Sequence, residues 1–420
     1  MVASLGARLY APYRHFLSLP DVRQTLVIAF FARLPVGMMA LSMVMFLRES
    51  LGNFKLAGTV LGVYFFAMAV TAPVLGRIID RKGPMLALIV TGIVEPLAFA
   101  AFIAAVWLQF PLAAVFGAVI VMGIFSPPIT VLSRTLWRHR FDADDDRRMA
   151  FAVDSTLMEI NFTLGPAIIG IVLALASPFI AVLVAWAALS ISIVAFMRTP
   201  ALKYWKQDNS SERHMLGPLT DLRLVLLFVV VLGLATACGL LEVGYPAYAT
   251  WLLMPAFAGV LLAVNSFGSA VGGAIFGALK WRMSMERQFA LLLLVFGMLM
   301  FLHLAVDARD SRFAFAFIAF VAGCAISPAF ASQALLISRL APAKYATEAF
   351  TWSGTFIVTG LGAGMALGGA LSEIYHVKAP FVAGGAILIA AAALALALKA
   401  RSPDTGLPPP AHASTAHPHP

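Results

Sequence analysis

Three ionisable side chains, Arg33, Asp154 and Glu159, fall in stretches otherwise apolar enough to cross a bilayer. A charge near mid-bilayer costs about 2.5–3.5 kcal/mol on insertion scales, so each needs a partner, a hydrated space or a task. Arg33 lies some eight residues into the first apolar stretch, roughly 12 Å deep at about 1.5 Å per residue. Glu159 is about ten residues into the fifth, near the midplane. Similar depth makes Arg33 and Glu159 the expected charge pair. Glu159, in the drier position, is suited to carrying a proton; the competing reading is a structural ion pair that never parts. Asp154 sits about 140° round the same helix from Glu159. It shares a stripe with Met158, Asn161 and Gly165 and is assigned to closing the nearer membrane face.

Five more residues, Asn161, Glu242, Tyr245, Asn265 and Gln333, are the expected lining of a substrate cavity. For Asn265 and Gln333, hydrogen bonding between helices is an equal alternative. Glu242 is either an outer-gate carboxylate or an interfacial group hydrated from outside. Glu95, followed by Pro96, is read as packing against a neighbour, with proton transport as the alternative. Covalent chemistry is not supported. Cys238 and Cys324 lie apart, His303 has no neighbouring ligands, and no G-x4-G-K-[ST] phosphate loop occurs, so neither a metal nor a cofactor is expected.

The elements that must position these groups follow from composition. Hydrophobic residues make up 61% and charged residues 12% of 420, against roughly 45–50% and about 25% in soluble domains. Such a chain is an integral membrane protein of helices of about 20 residues. Twelve spans are expected, over 26–47, 56–79, 85–108, 112–132, 149–174, 179–197, 224–246, 257–281, 289–306, 313–337, 346–371 and 380–398. The domain organisation is an N-terminal cytoplasmic segment (1–23), a six-helix bundle (24–198), a cytoplasmic linker (199–222), a second bundle (223–399) and a disordered tail (400–420). Of the 29 Lys and Arg, Arg33 lies inside a span and Arg48, Lys55, Arg309, Arg312 and Lys378 fall in odd-to-even loops, leaving 23 at the opposite face. That bias orients both termini toward the cytoplasm and accounts for the net charge of +9 without nucleic acid.

The halves repeat. At an offset of 201, Ala57-Gly58, Phe66, Gly76 and Arg81 match Ala258-Gly259, Phe267, Gly277 and Arg282; at 199, Gly165 and Gly170 match Gly364 and Gly369. Between the second and third spans runs Gly76-Arg77-Ile78-Ile79-Asp80-Arg81-Lys82-Gly83. Its spacing, G-x-x-x-D-R-x-G, resembles the loop between helices 2 and 3 of the major facilitator superfamily of secondary transporters. The resemblance implies an all-α membrane fold of twelve helices in two pseudo-symmetric bundles. It also implies a gate: Gly76 for close approach of two helices, Gly83 for the turn, and Asp80 and Arg81 as charge contacts latching the halves. Asn161-Phe162-Thr163-Leu164-Gly165-Pro166-Ala167-Ile168-Ile169-Gly170 resembles the antiporter motif G-x8-G-x3-G-P-x2-G-G of proton-driven drug exporters. Gly165, Pro166 and Gly170 match, whereas Ala152, Asn161 and Ile169 replace glycines; a packing groove with a kink is the alternative. No Arg lies in the fourth span, where such exporters carry one; the combination of Arg33-Leu34-Pro35, Pro127-Pro128, Asp154-x4-Glu159 with Gly165-Pro166, and Glu242-Val243 before Pro246 resembles a poorly characterised bacterial branch of the superfamily.

The expected function is secondary active transport by alternating access: proton-coupled efflux of a small, partly apolar molecule, acting as a monomer in a bacterial inner membrane. Proton-coupled uptake of a small organic solute is the runner-up. A polytopic membrane enzyme or sensor is the remote alternative.

Overall fold

The computed structural model describes residues 18–129, 132–133, 137, 140–141, 144–199, 202–203, 217–278, 283–342 and 346–398. Among them are thirteen α-helices and no strand. The N-terminal half holds α1 (Pro20–Leu51), α2 (Phe54–Lys82), α3 (Pro84–Trp107), α4 (Leu112–Ile124), α5 (Asp144–Leu175) and α6 (Pro178–Met197). The C-terminal half holds α7 (Leu222–Trp251), α8 (Ala256–Ala278), α9 (Met285–Ala305), α10 (Arg312–Gly323), α11 (Ile326–Leu340), α12 (Ala346–Ile374) and α13 (Ala379–Leu396). Eleven segments are long and apolar enough to cross a membrane, α10 and α11 together forming one, and α4 is a shorter apolar helix. The expected N-terminal segment (except its last residues), most of the linker, the 400–420 tail and the Asp80 and Arg81 side chains lie outside the described residues.

Tight connections make the helices run up and down. Gly52 (φ 82°) takes the left-handed conformation after α1, and the Asn53 side chain caps α2 by accepting from the Leu56 N–H at 2.8 Å. Gly83, also at φ 82°, alone turns α2 into α3, as its place in the loop motif requires. Both described ends of the chain therefore lie at one face, the terminal face; the other is the far face.

Two expected spans are broken. In place of one helix over 112–132, α4 stops at Ile124, and the tenth span parts at Cys324 and Ala325. Proline is the cause in both. Pro127 and Pro128 have no N–H for the Gly123 and Ile124 carbonyls, and Pro328 has none for Cys324. The breaks are equivalent in the repeat: Gly123 packs on the backbone of Tyr64 and Met68, Gly323 on that of Asn265 and Ser269.

Within the halves, α1 packs on α5 and α6, α4 on α2 and α3, α7 on α12 and α13, and α9 on α13. Two seams join the halves, α2 with α12 and α5 with α8. A Cβ on Gly369 would lie 3.1 Å from the Gly58 Cα, and one on Gly170 would lie 2.9 Å from the Gly259 Cα. Those four glycines are the repeat partners, so both seams are built by one device, bare backbone against bare backbone. Both lie toward the far face. At the terminal face the matched Gly76 and Gly277 have nothing within 4 Å of an added Cβ. Among the described residues the structure is thus closed at the far face and open beside these two glycines at the terminal face.

Candidate functional site

Arg33 of α1 meets Asp154, with Nη2 to Oδ1 at 2.7 Å and both side chains without solvent exposure. The Trp137 indole N–H donates to the same oxygen at 3.1 Å. Trp137 reaches it from the segment after α4, which is held by packing against Val22, Leu26, Phe141 and Ala150. This corrects the Arg33–Glu159 pairing. Depth is similar for the two acids, but the Asp154–Asn161–Gly165 stripe is the one that faces α1, where Gly165 packs on Gly37. Arg33 Nε and Nη1 and both amide atoms of buried Asn161 have no hydrogen-bond partner among the described residues.

Glu159, on the opposite side of α5, crosses the boundary between the halves. It is half-buried, and the hydroxyls of Ser269 of α8 and Ser327 of α11 lie near its carboxylate. Ser327 stands beside the break between α10 and α11, so an irregular stretch of the C-terminal half faces an acid of the N-terminal half.

The other expected cavity residues divide. Asn265 donates to the Ala319 carbonyl at 2.9 Å, tying α8 to α10. Gln333 Nε2 donates to Ser353 Oγ at 2.7 Å, tying α11 to α12. Fully buried Tyr245 bonds His303 at 3.2 Å, with Phe381 against its ring. In this state these three tie helices together. Glu242, half-buried, makes no hydrogen bond among the described residues and sits one turn beyond half-buried Cys238. Gly76, expected to sit at a close helix approach, faces open space in this state, for the reason given above; Pro166 and Gly170 lie along the α5 seam, the Pro166 carbonyl and Gly170 both packing on Gly259, whereas Gly165 faces α1.

Sequence reasoning missed three contacts. Tyr64 OH lies 3.5 Å from Glu95 Oε1 and 3.3 Å from Ser126 Oγ, joining α2, α3 and the break after α4. Glu373 at the end of α12 accepts from the Phe54 N–H at 3.0 Å, capping α2 across the seam. At the far face of the C-terminal half, Asp307 takes the Arg309 N–H at 2.9 Å, the Tyr248 hydroxyl at 3.0 Å and Lys378 at 3.6 Å. The Arg309 N–H foremost, helped by Tyr248 and Lys378, holds the Asp307 carboxyl below the usual aspartate range. Each joins residues far apart in sequence, so no local pattern marks it. Among the described residues no group of three or more His, Cys, Asp or Glu could hold a metal ion.

A family model described as Major Facilitator Superfamily matches residues 25–356 and, again, 252–419. No curated protein sequence matches the chain. A crystal structure of the nucleoside transporter NupG superposes with a TM-score of 0.73 at 13% identity, covering 90% of this chain and 99% of that one. A mutant of NupG gives 0.71 at 14%, covering 89% and 98%. At such identity the likeness is one of fold.

Proposed function

This chain belongs to the Major Facilitator Superfamily, and on that premise we propose that it couples proton movement to the efflux of a small, partly apolar molecule, with Glu159 as the coupling carboxyl. The observation that carries this reading is the bridge formed where Glu159 meets Ser269 and Ser327 of the other half. A carboxylate attracts both hydroxyls, and charge-assisted contacts of this kind are roughly twice as strong as neutral ones. Taking up a proton weakens the bridge and frees the halves to rock; releasing it restores the closed far face. Arg33 and Asp154, sealed within one half, keep the α1–α5 pair rigid while the other side of α5 works.

The terminal face, with most of the Lys and Arg, is placed in the cytoplasm of a bacterial inner membrane, and the halves rock as single bundles of a monomer. Gly76, Asp80 and Arg81 become the contact when that face closes. Half-buried Glu242 and Asn161 are the polar residues left for the solute. The partial antiporter motif in α5 supports efflux; uptake of a small organic solute uses the same parts in the other direction.

The test starts from a thermal-shift screen of metabolites and drugs, followed by flux in vesicles under an imposed pH gradient. Glu159→Gln is expected to abolish gradient-driven movement while retaining binding and exchange. Undiminished gradient-driven flux would remove Glu159 from this role, and the sign of wild-type flux fixes direction.

A further inference from the structure

Glu95 is the other acid buried at a helix break. It is 1% exposed, and its Oε2 has no hydrogen-bond partner. Oε1 has only the long contact to Tyr64, with the Ser126 hydroxyl near the carboxyl as well. No Lys or Arg among the described residues pairs with it. From α6, Trp186 addresses the next residue, donating to the Pro96 carbonyl at 2.8 Å. Among the described residues Tyr64 is therefore the one titratable group that faces the acid. A bare carboxylate is not stable in such surroundings; a carboxylic acid is.

A groove of about 320 Å³ leads to this place. Its walls include Thr71 of α2, Val90 and Thr91 of α3, and Ile124 and Phe125 at the end of α4, with Lys82 at the terminal-face end. Thr91 is one helical turn before Glu95, Thr71 two turns after Tyr64, and Phe125 adjoins Ser126. The groove thus follows the same helix faces as the triad and stops about one turn short of it.

The repeat gives this cluster a counterpart. Ser126 and Ser327 stand at equivalent breaks, and each faces a carboxyl: Ser327 faces Glu159 across the halves, Ser126 faces Glu95 within one half.

We infer that Glu95, with Tyr64 and Ser126, is a second proton-binding site, filled from the terminal face through the groove between α2, α3 and α4. Hydronium at the inner end of the groove gives a proton to the Ser126 hydroxyl as that hydroxyl gives its own to Oε2; an O–H bond forms on Glu95, Ser126 is restored and water remains. No part of the site comes from the C-terminal half, so rocking does not gate it. It reads the acidity of one compartment in every state of the transport cycle.

The test uses the full chain in lipid vesicles and an apolar carbodiimide, which modifies carboxyls only when protonated, with the modified residue identified by peptide mass spectrometry. Glu95 is expected to be modified, with the rate falling about tenfold per pH unit above its titration midpoint. Val90→Trp, which fills the groove from an exposed position, is expected to slow modification at Glu95 several-fold and leave that at Glu159 unchanged. No modification of Glu95 at any pH, or modification indifferent to pH, overturns the proton site. An unchanged rate in Val90→Trp overturns the route. Transport is not measured, so the result stands apart from the role given to Glu159.

Discussion

The guanidinium of Arg33 has one hydrogen-bonding partner among the described residues, the Asp154 carboxylate 2.7 Å away, and neither side chain is exposed. The pair sits between α1 and α5, the two helices whose glycines Gly37 and Gly165 already touch. It therefore works as a fixed joint inside one half. Removing one member of a buried pair strands a charge and costs about 3–5 kcal/mol, whereas replacing both by apolar groups is often neutral. Asp154→Leu is accordingly expected to lower thermal stability in detergent sharply, and adding Arg33→Met to recover most of the loss. A single variant as stable as wild type would show that the pair is not the joint described.

The glycine seams predict a directional block. A side chain at Gly58 collides with the Met365 carbonyl, so Gly58→Val is expected to hold the far face open and stop turnover. The readout is thiol labelling of Ala366→Cys, beside Gly62 on the same seam, after Cys238 and Cys324 are changed to Ala. Labelling from the far side should rise in Gly58→Val. Gly76→Val, where space is open, should leave it unchanged. Equal labelling in all three backgrounds contradicts closure by these glycines.

Asp307 gives the C-terminal half an acid-sensitive far end. Its folded pKa lies below its unfolded one, so its contribution to stability is complete above about pH 3.9, the ordinary aspartate value. The contribution is lost as pH falls through the lowered folded value. Asp307→Asn is expected to melt below wild type at neutral pH, and the two curves to converge in acid. A gap that persists at low pH would mean that the effect is not carried by the charge.

Much of this fold is legible in the residues. Span lengths and the side on which Lys and Arg collect give the crossings, and the repeat pairs Gly58 with Gly259 and Gly170 with Gly369, but that these glycines build the seams emerges only from the structure. The Arg33 partner was legible too, had azimuth been weighed with depth: Asp154, Asn161 and Gly165 share a face, and Glu159 is not on it. Other features had no local signal. Asn265 and Gln333 look alike whether they face a solute or a neighbouring helix, because an amide in lipid must find a partner in either case. Trp137 reaches Asp154 from a segment without periodicity. The helix breaks were signalled by Pro127-Pro128 and Pro328, but proline inside α1, α5 and α7 leaves those helices continuous, so proline alone does not separate a kink from a stop.

The Glu373 cap on Phe54 has no twin. The repeat places Ala174 and Pro255 at the corresponding points of the other seam, and neither can offer such a bond. The molecule is consequently lopsided where its sequence is most symmetrical. At the far face one join is clasped by a carboxylate and the other by bare backbone, so separation at that face is expected to start along α5 and α8, with α2 and α12 as the pivot.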